Sequence, residues 1–228
     1  MMSSGLNLRV ISSAVLLPIT LLVLVIGGWT FKIFVGIAFG IAVKEWVRMA
    51  VKVKHPLVAT ILGVLYLMIG FVAFIELRTE FDQGLFFALT LMLGVWASDI
   101  AAYFTGKTIG GPKLAPKISP NKTWAGFIGG TLGSALMLLA LDYYVPMHSG
   151  KMGLEVLPFA PLEMAFIIGA LFTVFGQIGD LGMSCMKRKV DVKDTGTLIP
   201  GHGGLLDRID SLLLVTPFFF IVLTILAN

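Results

Sequence analysis

The segment 184–210 is strongly polar in an otherwise apolar chain, and its residue types are suited to chemistry on phosphates. It contains three lysines, two arginines and four aspartates, which lie on either side of a Pro-Gly-His-Gly-Gly turn at 200–204. Carboxylate oxygens bind Mg²⁺, and lysine and arginine side chains neutralise phosphate oxygens. Chemistry on a nucleotide needs both kinds of group. The segment is therefore predicted to form the centre of an active site.

Three aspartates are candidate metal ligands. Asp207 and Asp210 are three residues apart and would share a helix face, and Asp180 lies at the end of the preceding apolar run. Mg²⁺ usually takes one or two carboxylates and completes its shell with water and substrate phosphates. The alternative is that these acids cap helix N-termini or pair with nearby basic residues. A ligand role predicts that Asp207→Asn abolishes turnover while leaving folding intact.

The turn at 200–204 and the basic cluster at 187–189 each allow two interpretations. Glycines let main-chain N–H groups approach an anion, and His202 could bind a phosphate or shuttle a proton. A plain turn is the alternative. The basic cluster could contact substrate phosphates or only anchor the chain to anionic lipid headgroups, and for Lys189 we favour the anchor.

Further candidates lie upstream. Ser98 and Asp99 interrupt an apolar run, and an ionisable residue at membrane depth is a functional hypothesis by default. The polar loop 106–123 contains lysines and prolines and is expected to form a lid over phosphates. Its Gly-Lys-Thr at 106–108 resembles the end of a P-loop, but Ala101 occupies the position of the required glycine. Glycines at small-xxx-small spacing between 126 and 133 predict helix packing.

The composition of the chain indicates that membrane-spanning helices position these residues. The chain has 228 residues, of which 57% are hydrophobic and 13% are charged, against about 25% charged in soluble domains. Apolar runs approach the roughly 20 residues that cross a bilayer as a helix, and they lack the alternation of a β-barrel. We predict an all-α polytopic membrane protein with about seven transmembrane helices. The predicted spans are 8–26, 29–43, 57–75, 84–105, 124–144, 162–179 and 211–226.

The chain is predicted to be a single integral membrane domain over 1–228. With a cytoplasmic N-terminus and seven spans, only Lys32, Arg78 and Lys151 of the 17 basic residues fall on the outer side. Basic residues in short loops stay cytoplasmic, so both polar loops are expected at the cytoplasmic face. Asp99 and the three candidate metal ligands would then lie at one level of the membrane.

The polar segment also resembles a known family. Between residues 184 and 210 the order is S-x2-K-R-x4-K-D-x-G-x3-P-G-H-G-G-x2-D-R-x-D, which is similar to the signature of the phosphatidate cytidylyltransferases, or CDP-diacylglycerol synthases. Two further blocks resemble that family: Ser-Asp at 98–99 with Ala-Tyr and Gly-Lys after it, and K-L-x-P-x-I-S-P-x-K-T-x2-G at 113–126. The resemblance covers residues 96–228, the expected catalytic part, whereas 1–95 agree in hydropathy alone.

The resemblance implies the reaction of CTP with phosphatidate to give CDP-diacylglycerol and pyrophosphate, with Mg²⁺ required. A second cation is a further candidate cofactor. It implies metal binding by Asp180 and Asp207, with Asp210 as a third ligand or a neighbour of the ligands. The residues expected around the reacting centre are Asp180, Lys193, Asp194, His202, Asp207, Arg208 and Asp210. Those expected to bind substrates are Ser98, Asp99, Lys113, Ser119, Lys122, Thr123, Ser184, Lys187 and Arg188.

Other functions remain open from the residues alone. Acids inside apolar runs are also typical of ion-coupled transporters, although no internal repeat is present. A lipid-anchoring scaffold would explain the lysines but not the buried acids. Within the enzyme class, another lipid phosphate could be the acceptor. The expected partners are CTP, phosphatidate and membrane lipid, with no nucleic acid and a possible homodimer. The expected location is a bacterial plasma membrane with a cytoplasmic active site.

Overall fold

A computed structural model describes residues 4–149 and 162–227, and within these ranges the chain folds into seven long helices. This confirms the predicted all-α membrane fold. The helices are α1 (Ser4–Ile26), α2 (Gly28–Ala50), α3 (Pro56–Thr79), α4 (Gly84–Thr108), α5 (Trp124–Ser149), α6 (Leu162–Lys189) and α7 (Leu206–Ala227). Lys151, which was predicted to lie on the outer side, falls outside the described residues.

Five of the described helices, α3 to α7, are long and apolar enough to cross a membrane. The apolar part of α1, Val10–Ile26, is shorter, and α2 is not among the five because it contains Lys32 as well as Lys44, Glu45 and Arg48. Large apolar side chains on the outer faces, such as Leu57 and Ile100, are exposed, as expected of helices that meet lipid.

The loop predicted as a lid contains a small β-hairpin. Strand β1 (Lys113–Ala115) pairs antiparallel with β2 (Ser119–Thr123), with Lys113 opposite Thr123 and Ala115 opposite Ser119. Strand β2 runs directly into α5, because the Thr123 hydroxyl accepts a hydrogen bond from the Gly126 N–H at 3.0 Å and so caps the helix N-terminus. The hairpin is thereby fixed to the first turn of α5.

Helix α5 packs closely on α4 through the predicted small-xxx-small glycines. A Cβ atom at Gly129 would collide with Thr105, and one at Gly133 would collide with Ala101. Small residues at such positions let two membrane helices approach closely. The prediction of helix packing at these glycines is confirmed.

Helices α6 and α7 extend beyond their apolar runs where they carry predicted site residues. Helix α6 continues past Gly179 to Lys189, and α7 begins at Leu206, five residues before the predicted span. Hydropathy reports which part of a helix meets lipid, and a helix can continue with polar residues beyond that part. As a result Asp180, Ser184 and Lys187 lie on α6, and both Asp207 and Asp210 lie in the first turns of α7.

Candidate active site

The carboxylate of Asp207 is the most highly connected group of the polar segment. Its Oδ1 accepts a hydrogen bond from Lys187 Nζ at 2.7 Å. Its Oδ2 accepts from the main-chain N–H of Thr195 at 2.7 Å and of Gly204 at 3.0 Å. The Asp207 side chain is only 4% exposed and that of Lys187 is 14% exposed. Asp207 therefore fixes the chain just before α7 and pairs with Lys187, and pairing with a nearby basic residue is one of the alternatives that the sequence left open.

A residue that the sequence did not single out completes this network. Glu45 of α2 is 5% exposed, and it accepts hydrogen bonds from the N–H groups of Leu205 and Leu206, each at 2.9 Å. The Thr195 hydroxyl lies 2.9 Å from Glu45 Oε2 and 3.0 Å from Asp207 Oδ2. Glu45 is the only acid within the basic stretch 44–55, which is the signal that could have identified it.

The second ion pair joins the hairpin to α6. Lys122 Nζ of β2 lies 2.7 Å from Asp180 Oδ2, and the two side chains are 17% and 33% exposed. The Ser184 hydroxyl, one turn along α6, donates to Asp180 Oδ1 at 3.1 Å. The structure thus brings the end of the loop 106–123 to Asp180, which also contacts Ser184 at the start of the segment 184–210.

Asp180 also lies close to two further carboxylates. Asp99 of α4, Asp180 of α6 and Asp210 of α7 are close enough to repel one another electrostatically. Lys122 attracts Asp99, and Lys187 attracts Asp210. The closeness of α6 and α7 here depends on Gly179, since a Cβ at that position would collide with the Asp210 carbonyl oxygen. Acids and cations from several elements thus meet at one end of the bundle, which we call the site end.

The acids at the site end include the predicted Mg²⁺ ligands. Carboxylate oxygens are the ligands that Mg²⁺ prefers, so the donor chemistry of Asp180, Asp207 and Asp210 fits, with Asp99 close by. In this structure Asp180 and Asp207 each have a protein partner on both carboxylate oxygens. Across residues 4–149 and 162–227, no group of three or more His, Cys, Asp or Glu side chains has a geometry ready to hold a metal. The assignment of the metal ligands remains a prediction.

The glycine-rich turn has the tight backbone that its sequence predicts. The Ile199 N–H donates to the Gly203 carbonyl at 2.9 Å, and Gly201 and Gly203 have φ values of 76° and 86°, which favour glycine. His202 faces α1, where its Nδ1 lies 2.8 Å from the Ser12 hydroxyl oxygen. The N-terminal part of α1 therefore contacts the turn.

Ser98, predicted to bind substrate, has a partner within the protein. It is 4% exposed, and its hydroxyl lies 2.9 Å from the Thr173 hydroxyl, between α4 and α6. Thr173 donates to the Gly169 carbonyl at 3.1 Å, so Ser98 must donate to Thr173. Thr123, the cap of α5, is likewise 4% exposed. Both hydroxyls support packing in this structure.

The remaining candidates lie around the edge of the site end. Their side chains are exposed or half-buried, so they are accessible to soluble or lipid substrates. The exposed residues are Lys113, Arg188, Lys193, Asp194 and Arg208, and Ser119 is half-buried. Asp99, described above with Asp180 and Asp210, is also exposed.

Comparison with known proteins identifies the family. A sequence model described as the cytidylyltransferase family matches residues 50–226, which is most of the chain. The chain belongs to the cytidylyltransferase family. Glu45 lies just before the matched residues, whereas every candidate that the sequence predicted lies within them.

Relatives within the family share the same printed name. The chain is 42% identical to the phosphatidate cytidylyltransferase of Bacillus subtilis over 164 residues, which is 72% of this chain and 57% of the relative. It is 43% identical to the Staphylococcus aureus protein of that name over 165 residues, with the same coverage of both chains. The chain thus matches a little over half the length of these relatives.

Proposed function

We propose that this chain transfers a cytidylyl group from CTP to phosphatidate, giving CDP-diacylglycerol and pyrophosphate. The observation on which this rests most is the convergence of Lys122, Lys187 and the acids Asp99, Asp180 and Asp210 from separate elements at the site end. Membership of the cytidylyltransferase family and the names of the relatives supply the substrate class.

The reaction itself requires little acid–base chemistry. A phosphate oxygen of phosphatidate attacks the α-phosphorus of CTP, a new P–O bond forms, and the bond from the α-phosphorus to the bridging oxygen breaks. Pyrophosphate leaves with that electron pair. Both substrates are polyanions, so catalysis depends on bringing them together and stabilising charge on the leaving group.

The lysines of the site end are placed for this task. Lys122 and Lys187 are held by carboxylates and are only partly exposed, so their ammonium groups are oriented before substrate arrives. Exposed Lys113, Arg188 and Lys193 would attract and neutralise the outer phosphates. His202, Asp194 and Arg208 remain candidates for contacts to the same phosphates.

Mg²⁺ is proposed as the cofactor. Asp180 and Asp207 would hold it, with Asp210 as a third ligand or a neighbour and Asp99 nearby. Both Asp180 and Asp207 have lysine partners in this structure that the metal would share or displace. When bound, Mg²⁺ would neutralise phosphate charge and orient the triphosphate. A second cation at the site is also proposed.

The site end is proposed to face the cytoplasm of a bacterial plasma membrane. It is formed by the C-terminal parts of α2, α4 and α6, the hairpin and the N-terminal part of α7, and most basic residues of the chain lie in or beside these segments. Such a bias is typical of the cytoplasmic side, where CTP is available.

The test is a direct assay of the purified protein in detergent or lipid nanodiscs. Radiolabelled CTP, phosphatidate and Mg²⁺ should yield a labelled lipid together with pyrophosphate, and chelation of Mg²⁺ should stop both. Parallel reactions with other lipid phosphates would define the acceptor. Absence of labelled lipid and pyrophosphate with every acceptor would refute the proposed function.

A further inference from the structure

The buried carboxylate of Glu45 lies outside the segments that contain the predicted site residues. Its oxygens accept hydrogen bonds from the N–H groups of Leu205 and Leu206, at the first turn of α7. These N–H groups have no partner within their own helix, so a helix N-terminus needs an acceptor from elsewhere. Here the acceptor comes from α2, 161 residues away in sequence from Leu206.

The backbone around Glu45 is adapted to this carboxylate. A Cβ atom at Gly196 would lie 2.7 Å from Glu45 Oε1, and one at Gly204 would lie 2.5 Å from Glu45 Oε2. Both contacts are too short for a side chain, so glycine at these positions allows the carboxylate to reach the chain. The spacing of Gly196 and Gly204 in the polar segment therefore reflects, in part, the presence of Glu45.

Glu45 is connected to the Lys187 ammonium group through Thr195 and Asp207. The Thr195 hydroxyl lies between Glu45 Oε2 and Asp207 Oδ2, at 2.9 Å and 3.0 Å. Asp207 in turn accepts a hydrogen bond from Lys187 Nζ at 2.7 Å. The position of the Lys187 ammonium group thus depends on Asp207, which depends on Thr195 and on the start of α7.

The geometry points to Glu45 as a positioning residue: it holds Thr195 and the first turn of α7 so that Asp207 orients Lys187 towards the substrate phosphates. The inference rests on the proposed function for its kinetic consequence. Its structural consequence, protection of the Leu205 and Leu206 amides, does not depend on any activity.

The test uses the full chain with Glu45→Gln. Glutamine has the same shape, but its single acceptor oxygen cannot serve both N–H groups, and its NH2 group must face one of these donors. Turnover should fall at least tenfold while the KM for CTP changes less than threefold, because the substrate-binding cations remain and only their orientation is relaxed. Glu80→Gln, the same change at an exposed position at the far end of α3, should leave both constants unchanged.

Hydrogen exchange followed by mass spectrometry supplies a readout independent of activity. Amides in peptides covering 195–207 should exchange at least tenfold faster in Glu45→Gln, with no change in α3 or α4. If the wild-type protein is inactive, the proposed function fails while this measurement still decides the anchoring role. Faster exchange with unchanged turnover would refute the positioning role of Glu45. Unchanged exchange would refute both its anchoring role and its positioning role.

A second variant keeps the inference testable if Glu45→Gln does not fold. Thr195→Val removes only the shared hydroxyl and keeps the side-chain shape. We expect lower turnover with an unchanged KM for CTP, and the double variant should be no slower than the slower single variant, because both changes interrupt one connection. Independent, multiplicative losses of turnover in the double variant would contradict the inference.

Discussion

Asp207→Asn separates a metal-ligand role from the scaffold role seen in the structure. The Asp207 side chain is 4% exposed, with Lys187 on Oδ1 and the N–H groups of Thr195 and Gly204 on Oδ2. Asparagine keeps one acceptor oxygen, so its NH2 group must face either the ammonium group or two N–H donors. Neither orientation satisfies all three partners. The variant should therefore lose stability as well as activity.

The size of the loss follows from the burial of the pair. Breaking a buried ion pair costs about 3–5 kcal/mol, and losing a hydrogen bond to a charged group costs about 1.5–3 kcal/mol. Lys187 is 14% exposed and has a flexible stem, so its ammonium group can partly recover hydration. We expect a loss of roughly 2–4 kcal/mol, which corresponds to a fall in Tm of roughly 5–15 °C for a chain of this size.

Thermal unfolding in detergent, followed by tryptophan fluorescence, measures this loss. The matched control is Asp191→Asn in the same polar segment, at an exposed position whose φ of 53° asparagine tolerates. Its stability should change by less than about 0.5 kcal/mol. Adding Lys187→Met to Asp207→Asn should restore at least about 1.5 kcal/mol, because no unpaired charge remains.

The result that would refute this reasoning is an Asp207→Asn protein with the Tm of the wild type. It would show that Asp207 does not stabilise the fold and would favour the original expectation of a metal ligand with intact folding. If the losses of stability of the two single variants simply add in the double variant, that result would likewise contradict a direct Lys187–Asp207 interaction.

Three further predictions concern other contacts of the site end. Lys122→Met should lower turnover at least tenfold and change stability by less than about 1 kcal/mol, since its pair with Asp180 is partly exposed; unfolding and steady-state assays separate the two effects. Ser98→Ala should cost about 1 kcal/mol and leave the KM for CTP unchanged, because the hydroxyl serves a buried partner on α6; a large rise in KM would instead support substrate binding. Gly179→Ala should push α6 from α7 at the Asp210 carbonyl, lowering both Tm and turnover; wild-type values for both would contradict that contact.

Local sequence patterns were sufficient to predict much of the fold. Apolar runs and their lengths predicted the helices, because a helix that crosses the bilayer must be apolar along the whole of its span. The small-xxx-small glycines predicted the packing of α5 on α4. The run lengths missed the polar extension of α6 to Lys189 and the early start of α7 at Leu206, because a helix outside lipid leaves no hydropathy signal.

The sequence by itself determined the class of the protein, its family resemblance and the residue types available for phosphate chemistry. Only the tertiary structure decided which of these groups meet. It paired Lys122 with Asp180 and Lys187 with Asp207, placed Ser98 against Thr173, and brought Glu45 to the start of α7. The physical reason is that a buried polar side chain must find a partner, and that partner is supplied by packing between elements distant in sequence.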